Sequence, residues 1–139
     1  MRFSVVVVAL LVLAACGQDT PAAPSALTGP AIQGVTWKLE AIERAGAATI
    51  TIANPDAYTL VFEADGRVNV RADCNTCSGR YQLSGASVAI SQMACTRAFC
   101  GTAIDTAYAS ALGEVQRLTL NGNNQLLVQG SGLTLRFRN

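Results

Sequence analysis

Apolar and polar residues alternate with a period of two through most of the chain after residue 36. Trp37-Lys38-Leu39-Glu40-Ala41-Ile42 opens the series, with Trp37, Leu39 and Ala41 on one face. Such alternation predicts half-buried strands. Tyr58–Phe62 and Arg67–Val70 flank Asp65-Gly66, a strong turn dipeptide, and predict a hairpin. Gly79–Leu83 and Ser87–Ser91 alternate around Ser84-Gly85-Ala86 and predict a second hairpin. Leu118–Leu120, Leu126–Val128 and Leu133–Phe137 predict three more strands, separated by turns at 121–124 and 130–132. Thr49–Ile52 is a shorter strand candidate. One segment breaks the period: Ile104, Tyr108, Ala111 and Leu112 recur at helical spacing. Thr102 is placed as its N-cap, Asp105 follows three residues on as in a capping box, and Gly113 is a C-cap glycine, so the helix spans about 103–112. The expectation is a mainly β (α+β) fold: a small antiparallel sheet or barrel of about eight short strands. The one helix would pack across an open end or face.

The first 34 residues lack that alternation. Met1-Arg2 is positive, and the run from Ser4 to Leu13 is apolar but too short to span a bilayer. Its length suits the apolar region of a signal peptide. It ends in Leu13-Ala14-Ala15-Cys16, which resembles the lipobox of a bacterial lipoprotein. That resemblance implies a signal peptide of residues 1–15, cleavage before Cys16, and lipid on the Cys16 thiol. The competing reading is an ordinary signal peptide with a chance cysteine. Each buried acyl methylene contributes about 0.8 kcal/mol, so two or three chains would hold the protein permanently. Gly17 after the cysteine resembles the pattern of export to an outer membrane. The expected location is therefore the cell envelope, anchored in the outer membrane and facing the periplasm. Residues 17–34 are rich in Pro, Ala, Gly, Ser and Thr and read as a flexible linker, leaving one domain at 35–139.

Charge and composition narrow the chemistry. The net charge is +1 with no basic stripe, which excludes nucleic acid as an expected partner. There is no histidine, the commonest general base and metal ligand. Ser78 and Ser131 therefore lack an activating imidazole, and Lys38 is the only lysine. The carboxylates Glu40, Glu43, Asp56, Glu63, Asp65 and Glu114 show no paired spacing that suggests hydrolysis. No phosphate-cradling loop occurs. The chain reads as non-enzymatic, with no cofactor implied.

Four cysteines carry the remaining signal: Cys74-x-x-Cys77 and Cys95-x4-Cys100. Three readings compete. Four thiolates could bind zinc, although the second spacing is loose. A C-x-x-C could serve a periplasmic thiol–disulfide oxidoreductase through Cys74 and Cys77, but its flanks read as strands, with no helix to stabilise a thiolate. An exported chain favours two disulfide staples. In a hairpin centred near residue 86, Cys77 falls opposite Cys95, and Cys74 falls opposite Cys100 one layer out. The staple reading thus predicts nested bridges Cys77–Cys95 and Cys74–Cys100.

Asp73, Asn75, Arg80, Thr96 and Arg97 cluster in sequence around these cysteines as a candidate interaction surface. A plainer reading makes Asp73 and Asn75 turn residues and the arginines solvated strand positions. Trp37, Tyr58, Phe62 and Tyr81 could line a pocket, but such residues more often form the core. A stapled loop at Thr96–Phe99 also suits a protease-inhibitor-like module.

Together these residues resemble the META domain, also called the HslJ-like domain. The features are Trp37-Lys38-Leu39, Phe62 with Asp65-Gly66, Cys74-Asn75, Gly79-Arg80-Tyr81 and Thr96-Arg97-Ala98-Phe99-Cys100. The two cysteines of that pattern fall on Cys74 and Cys100, while Cys77 and Cys95 are an additional pair. The resemblance implies a small β-rich domain on secreted or lipid-anchored bacterial proteins. It also implies a link to envelope and heat stress, antibiotic tolerance and motility, without a defined activity. The expected partners are the membrane, through Cys16, and an envelope protein or small hydrophobic ligand.

Overall fold

The structure is a computed structural model that describes residues 29–122 and 124–139. The expected signal peptide, Cys16 and most of the linker lie outside the described residues. Nine strands form: β1 Trp37–Arg44, β2 Ile50–Thr51, β3 Tyr58–Phe62, β4 Arg67–Ala72, β5 Asn75–Ser84, β6 Ser87–Cys95, β7 Val115–Asn121, β8 Gln125–Gly130 and β9 Leu133–Arg138. A single 3-10 turn, Pro55–Ala57, leads into β3. Neighbours pair antiparallel from β3 through β9, and β1 pairs with both β3 and β9. The result is a closed eight-stranded antiparallel barrel, with β2 added beside β1.

Closure explains the observed alternation. In β3 and β4 every second residue faces inward: Tyr58, Leu60 and Phe62, then Val68, Val70 and Ala72. Leu126 and Val128 of β8 and Leu133, Leu135 and Phe137 of β9 fill the far wall. Trp37, Tyr58, Phe62 and Tyr81 are all buried in this core. Phe62 and Tyr81 meet edge-on, with ring centroids 4.9 Å apart, and Tyr58 meets Tyr108 edge-on at 6.1 Å. The plainer reading of these aromatics therefore holds.

Helix α1, Gly29–Ile32, and the residues after it differ from the expected linker. Ile32 is fully buried, Trp37 Nε1 donates to its carbonyl at 3.2 Å, and Gln33 bridges Phe62. Gln33 Nε2 also donates to the Tyr81 hydroxyl at 2.8 Å. The packed region begins by Gly29, not at residue 35. Composition read residues 29–34 as linker because one buried isoleucine decides the matter. Pro30 fits the first turn, where its missing N–H costs nothing.

Helix α2, Ile104–Leu112, spans the other end of the barrel, with Tyr108, Ala111 and Leu112 buried. The Tyr108 hydroxyl donates to the Thr59 carbonyl at 3.1 Å. The cap is Ala103 without a side-chain bond, so Thr102 is not the N-cap. Gly113 is the C-cap in right-handed helical geometry, with φ −74°. Asp105 turns away from a capping box toward Asn75, a partner 30 residues distant in sequence.

Candidate functional site

The four cysteines form the two predicted bridges, Cys77–Cys95 and Cys74–Cys100. Cys74 and Cys77 therefore belong to different bridges. The C-x-x-C is not itself a disulfide, and it sits on a turn and a strand. Between Cys95 and Cys100 the chain has no regular structure. This strap, Thr96-Arg97-Ala98-Phe99, is covalently pinned at both ends.

Asn75 is the third pin. It opens β5 with its side chain buried, rather than lying in a loop between the cysteines. Its Oδ1 accepts from Ala98 N at 2.8 Å and from Thr96 Oγ1 at 3.0 Å. Its Nδ2 donates to the Ala98 carbonyl at 2.9 Å and to Asp105 Oδ2 at 3.0 Å. Two donors and two acceptor sites are thus all engaged, which is the full capacity of a primary amide. Thr96 Oγ1 also accepts from Thr76 N at 3.0 Å, and Thr96 N donates to the Thr76 carbonyl at 3.0 Å.

Asp73 takes the tight turn before Cys74. Its φ is +59°, a left-handed conformation that Asp tolerates better than most residues, and its N–H donates to the Ala57 carbonyl at 2.7 Å. Burial raises the Tyr58 hydroxyl above its ordinary value; Thr102 opposes that shift and the Asp73 carboxylate adds to it. Of the five candidate surface residues, Asn75, Thr96 and Arg97 come together, with Asp73 at the adjoining turn. Arg80 does not join them. It faces Arg67 on β4 and Ser91 on β6, farther along the barrel wall.

A cleft of about 570 Å³ separates the strap from α2. Asn75 and Asp105 line it with Arg97, Phe99, Thr106 and Ser110. The polar groups of Asn75 are spent on the strap and the helix. The free groups belong to the rim. Phe99 is 93% exposed, and the Arg97 guanidinium makes no ion pair among the described residues. Sequence reasoning named Phe99 only as the end of a stapled loop, not as a candidate surface residue, and took Asp105 for a cap. The only signal for Phe99 is a large apolar residue confined between two closely spaced cysteines.

The META domain model matches residues 30–139. No curated protein is significantly similar to the chain. Three solved structures share the fold. An NMR structure of a protein from Burkholderia xenovorans has a TM-score of 0.66 at 23% identity, covering 88% of this chain and 94% of that one. A crystal structure of a DUF4847 family protein from Bacteroides vulgatus has a TM-score of 0.57 at 17% identity, covering 77% and 93%. A further NMR structure has a TM-score of 0.60 at 23% identity, covering 81% and 94%. With 110 of its residues inside the family match, the chain belongs to the META domain family.

Proposed function

We propose that the protein is a lipid-anchored, non-enzymatic domain of the cell envelope that presents the strap end of its barrel to a protein partner. One observation carries this reading: the chain enters at one end of the barrel and the strap crowns the other. Gln33 bridges Phe62 at the end of β3, whereas Tyr58 at the start of β3 adjoins Asp73 and α2. Four residue steps at about 3.3 Å separate these ends by roughly 13 Å. A chain tethered through Cys16 would hold the entry end toward the membrane and turn Arg97 and Phe99 away from it. Two bridges in one small domain suit an oxidising compartment. They also suit survival under heat or denaturing stress, where folded-state lifetime matters.

The test uses cells carrying the full chain. Cys16→Ser should move the protein from the membrane to the soluble fraction. A photo-crosslinking residue at Phe99 should trap a partner that the same residue at Ala86 does not. Equal trapping from both positions, or none from Phe99, would remove the strap as the recognition end.

A further inference from the structure

We infer that the strap is a substrate-like loop for an arginine-specific serine endopeptidase, with Arg97 entering the primary pocket of that enzyme. This deepens the preceding reading, since it names the partner of the same surface. Three separate features converge on it.

The first is the side chain. Arg97 is exposed, and its positive charge has no ion-pair partner among the described residues. A trypsin-like primary pocket holds a carboxylate at its base and selects such a residue. Phe99, two residues on, is exposed and free to pack against the same enzyme.

The second is the backbone edge. The seam between β6 and β7 is paired at one position, Ser87 with Arg117. From Val88 to Cys95, β6 has β5 on one side and, among the described residues, no paired strand on the other. Thr96 N donates to the Thr76 carbonyl, while Thr76 N turns to the Thr96 hydroxyl, so the ladder bond falls at this pair and the next pair, Cys77 with Cys95, is the non-bonded one. Its Cα atoms lie 4.0 Å apart, the closer of the two antiparallel spacings. Alternation therefore turns the N–H and C=O of Cys95 away from β5, toward the open edge. Strand addition onto an extended peptide uses such free backbone groups. They stand two residues before Arg97, where an endopeptidase pairs with its substrate.

The third is restraint around the Arg97–Ala98 bond. Asn75 holds both the N–H and the C=O of Ala98, and Thr96 is fixed from both sides by Thr76. A loop already held by its own scaffold loses little freedom on binding. Hydrolysis would add one water across the Arg97–Ala98 bond. Both new ends would remain tied, through Cys95–Cys77 and Cys100–Cys74, so the bond could reform with release of that water. These restraints make a tight, slowly released ligand rather than a substrate.

The experiment titrates trypsin, as the probe, with the full chain exported to an oxidising compartment and purified in detergent. Competitive inhibition is expected. Arg97→Ala should weaken it on the order of 100-fold, as for a central interface residue, while Arg97→Lys stays within about tenfold. Arg97→Leu should transfer inhibition from trypsin to chymotrypsin, and Arg80→Ala should change nothing. Because Arg97 is exposed, each variant should keep the parent melting temperature. No inhibition by the folded protein at about 100 µM, a concentration that would reveal even weak binding, overturns the inference. So does rapid cleavage after Arg97 without inhibition. If either occurs while Phe99 still traps a partner in cells, the protease is wrong and the recognition end stands. If Phe99 traps nothing, the recognition end itself falls.

Discussion

Cys77 and Cys95 stand directly opposite each other because β6 carries one extra residue between them and the hairpin turn. Beside the turn, pairs such as Tyr81 with Ile90 follow the register of a two-residue loop. Continued unchanged, that register would set Cys77 against Ala94. Between Arg80 and Ser78 it shifts, with Gln92 and Met93 opposing Gly79 alone. Gln92 takes φ +55° at this bulge. The shift also changes parity: Ile90 faces inward before it, and Cys77 meets Cys95 after it. A one-residue slip moves every side chain to the other face, and here it makes the inner bridge possible.

Gly79 should therefore resist substitution. A Cβ there would lie 2.8 Å from the Ser91 carbonyl oxygen and 3.3 Å from Met93 Cα. Gly79→Val should cost about 1–3 kcal/mol. Removing the inner bridge with Cys77→Ala and Cys95→Ala should cost about 3 kcal/mol on the chain-entropy account. In a domain of this size each kcal/mol lowers Tm by about 4–8 °C, which circular dichroism melts would read. An unchanged melt for Gly79→Val would mean the bulge can relax and the close approach is not a constraint.

Asn75 should be the most sensitive polar position. Asn75→Ala takes the Asn75 donor from the buried Asp105 carboxylate and both amide bonds from the Ala98 peptide, at about 2–4 kcal/mol. Asn75→Asp is more telling, since it sets a second carboxylate against Asp105. Like charges raise the folded-state pKa of the pair above the unfolded value. That penalty is present at neutral pH and relieved as pH falls through the raised value. Denaturant melts from pH 7 to pH 4 should show this variant gaining stability relative to the parent. A constant difference would show that the two carboxylates do not face each other.

Ile32 tests where the domain begins. It is fully buried, and Ile32→Ala should cost about 2–4 kcal/mol. A chain starting at residue 35 should melt lower than one starting at residue 29, having lost this side chain and the bond from Trp37 to Ile32. Equal melting temperatures would return residues 29–34 to the linker.

Tyr108 should contribute to the alkaline limit. Burial pushes its hydroxyl well above the ordinary tyrosine value. The resulting stability is fully present below the unfolded value of about 10 and is lost as pH rises through the higher folded one. Absorbance titration should show Tyr108 ionising together with unfolding. Tyr108→Phe should remove that part of the alkaline transition for about 1 kcal/mol at neutral pH, the hydrogen bond to Thr59. Early, reversible ionisation of all three tyrosines would contradict the burial.

The sequence alone determined the strands, because inward and outward residues alternate wherever one face of a sheet is buried. Tyr58–Phe62 is read to the residue, and Leu133–Phe137 falls one residue short of β9. It also narrowed the cysteine pairing to the two nested bridges, because a hairpin brings Cys77 near Cys95 and Cys74 near Cys100, although the bulge at Gln92 and Met93 was needed to set Cys95 opposite Cys77. It determined the helix through the spacing of Tyr108 and Leu112. Only the tertiary structure decided the rest. Thr102 looked like a cap because capping signals are local, but Asp105 found a partner across the barrel mouth. Ile32 looked like linker because composition averages over neighbours, whereas burial belongs to one side chain. The open edge of β6, the pinning of Ala98 by Asn75 and the distance of Arg80 from Arg97 depend on where separate strands come together. No period or spacing along the chain records those positions, because they are set by closure of the barrel.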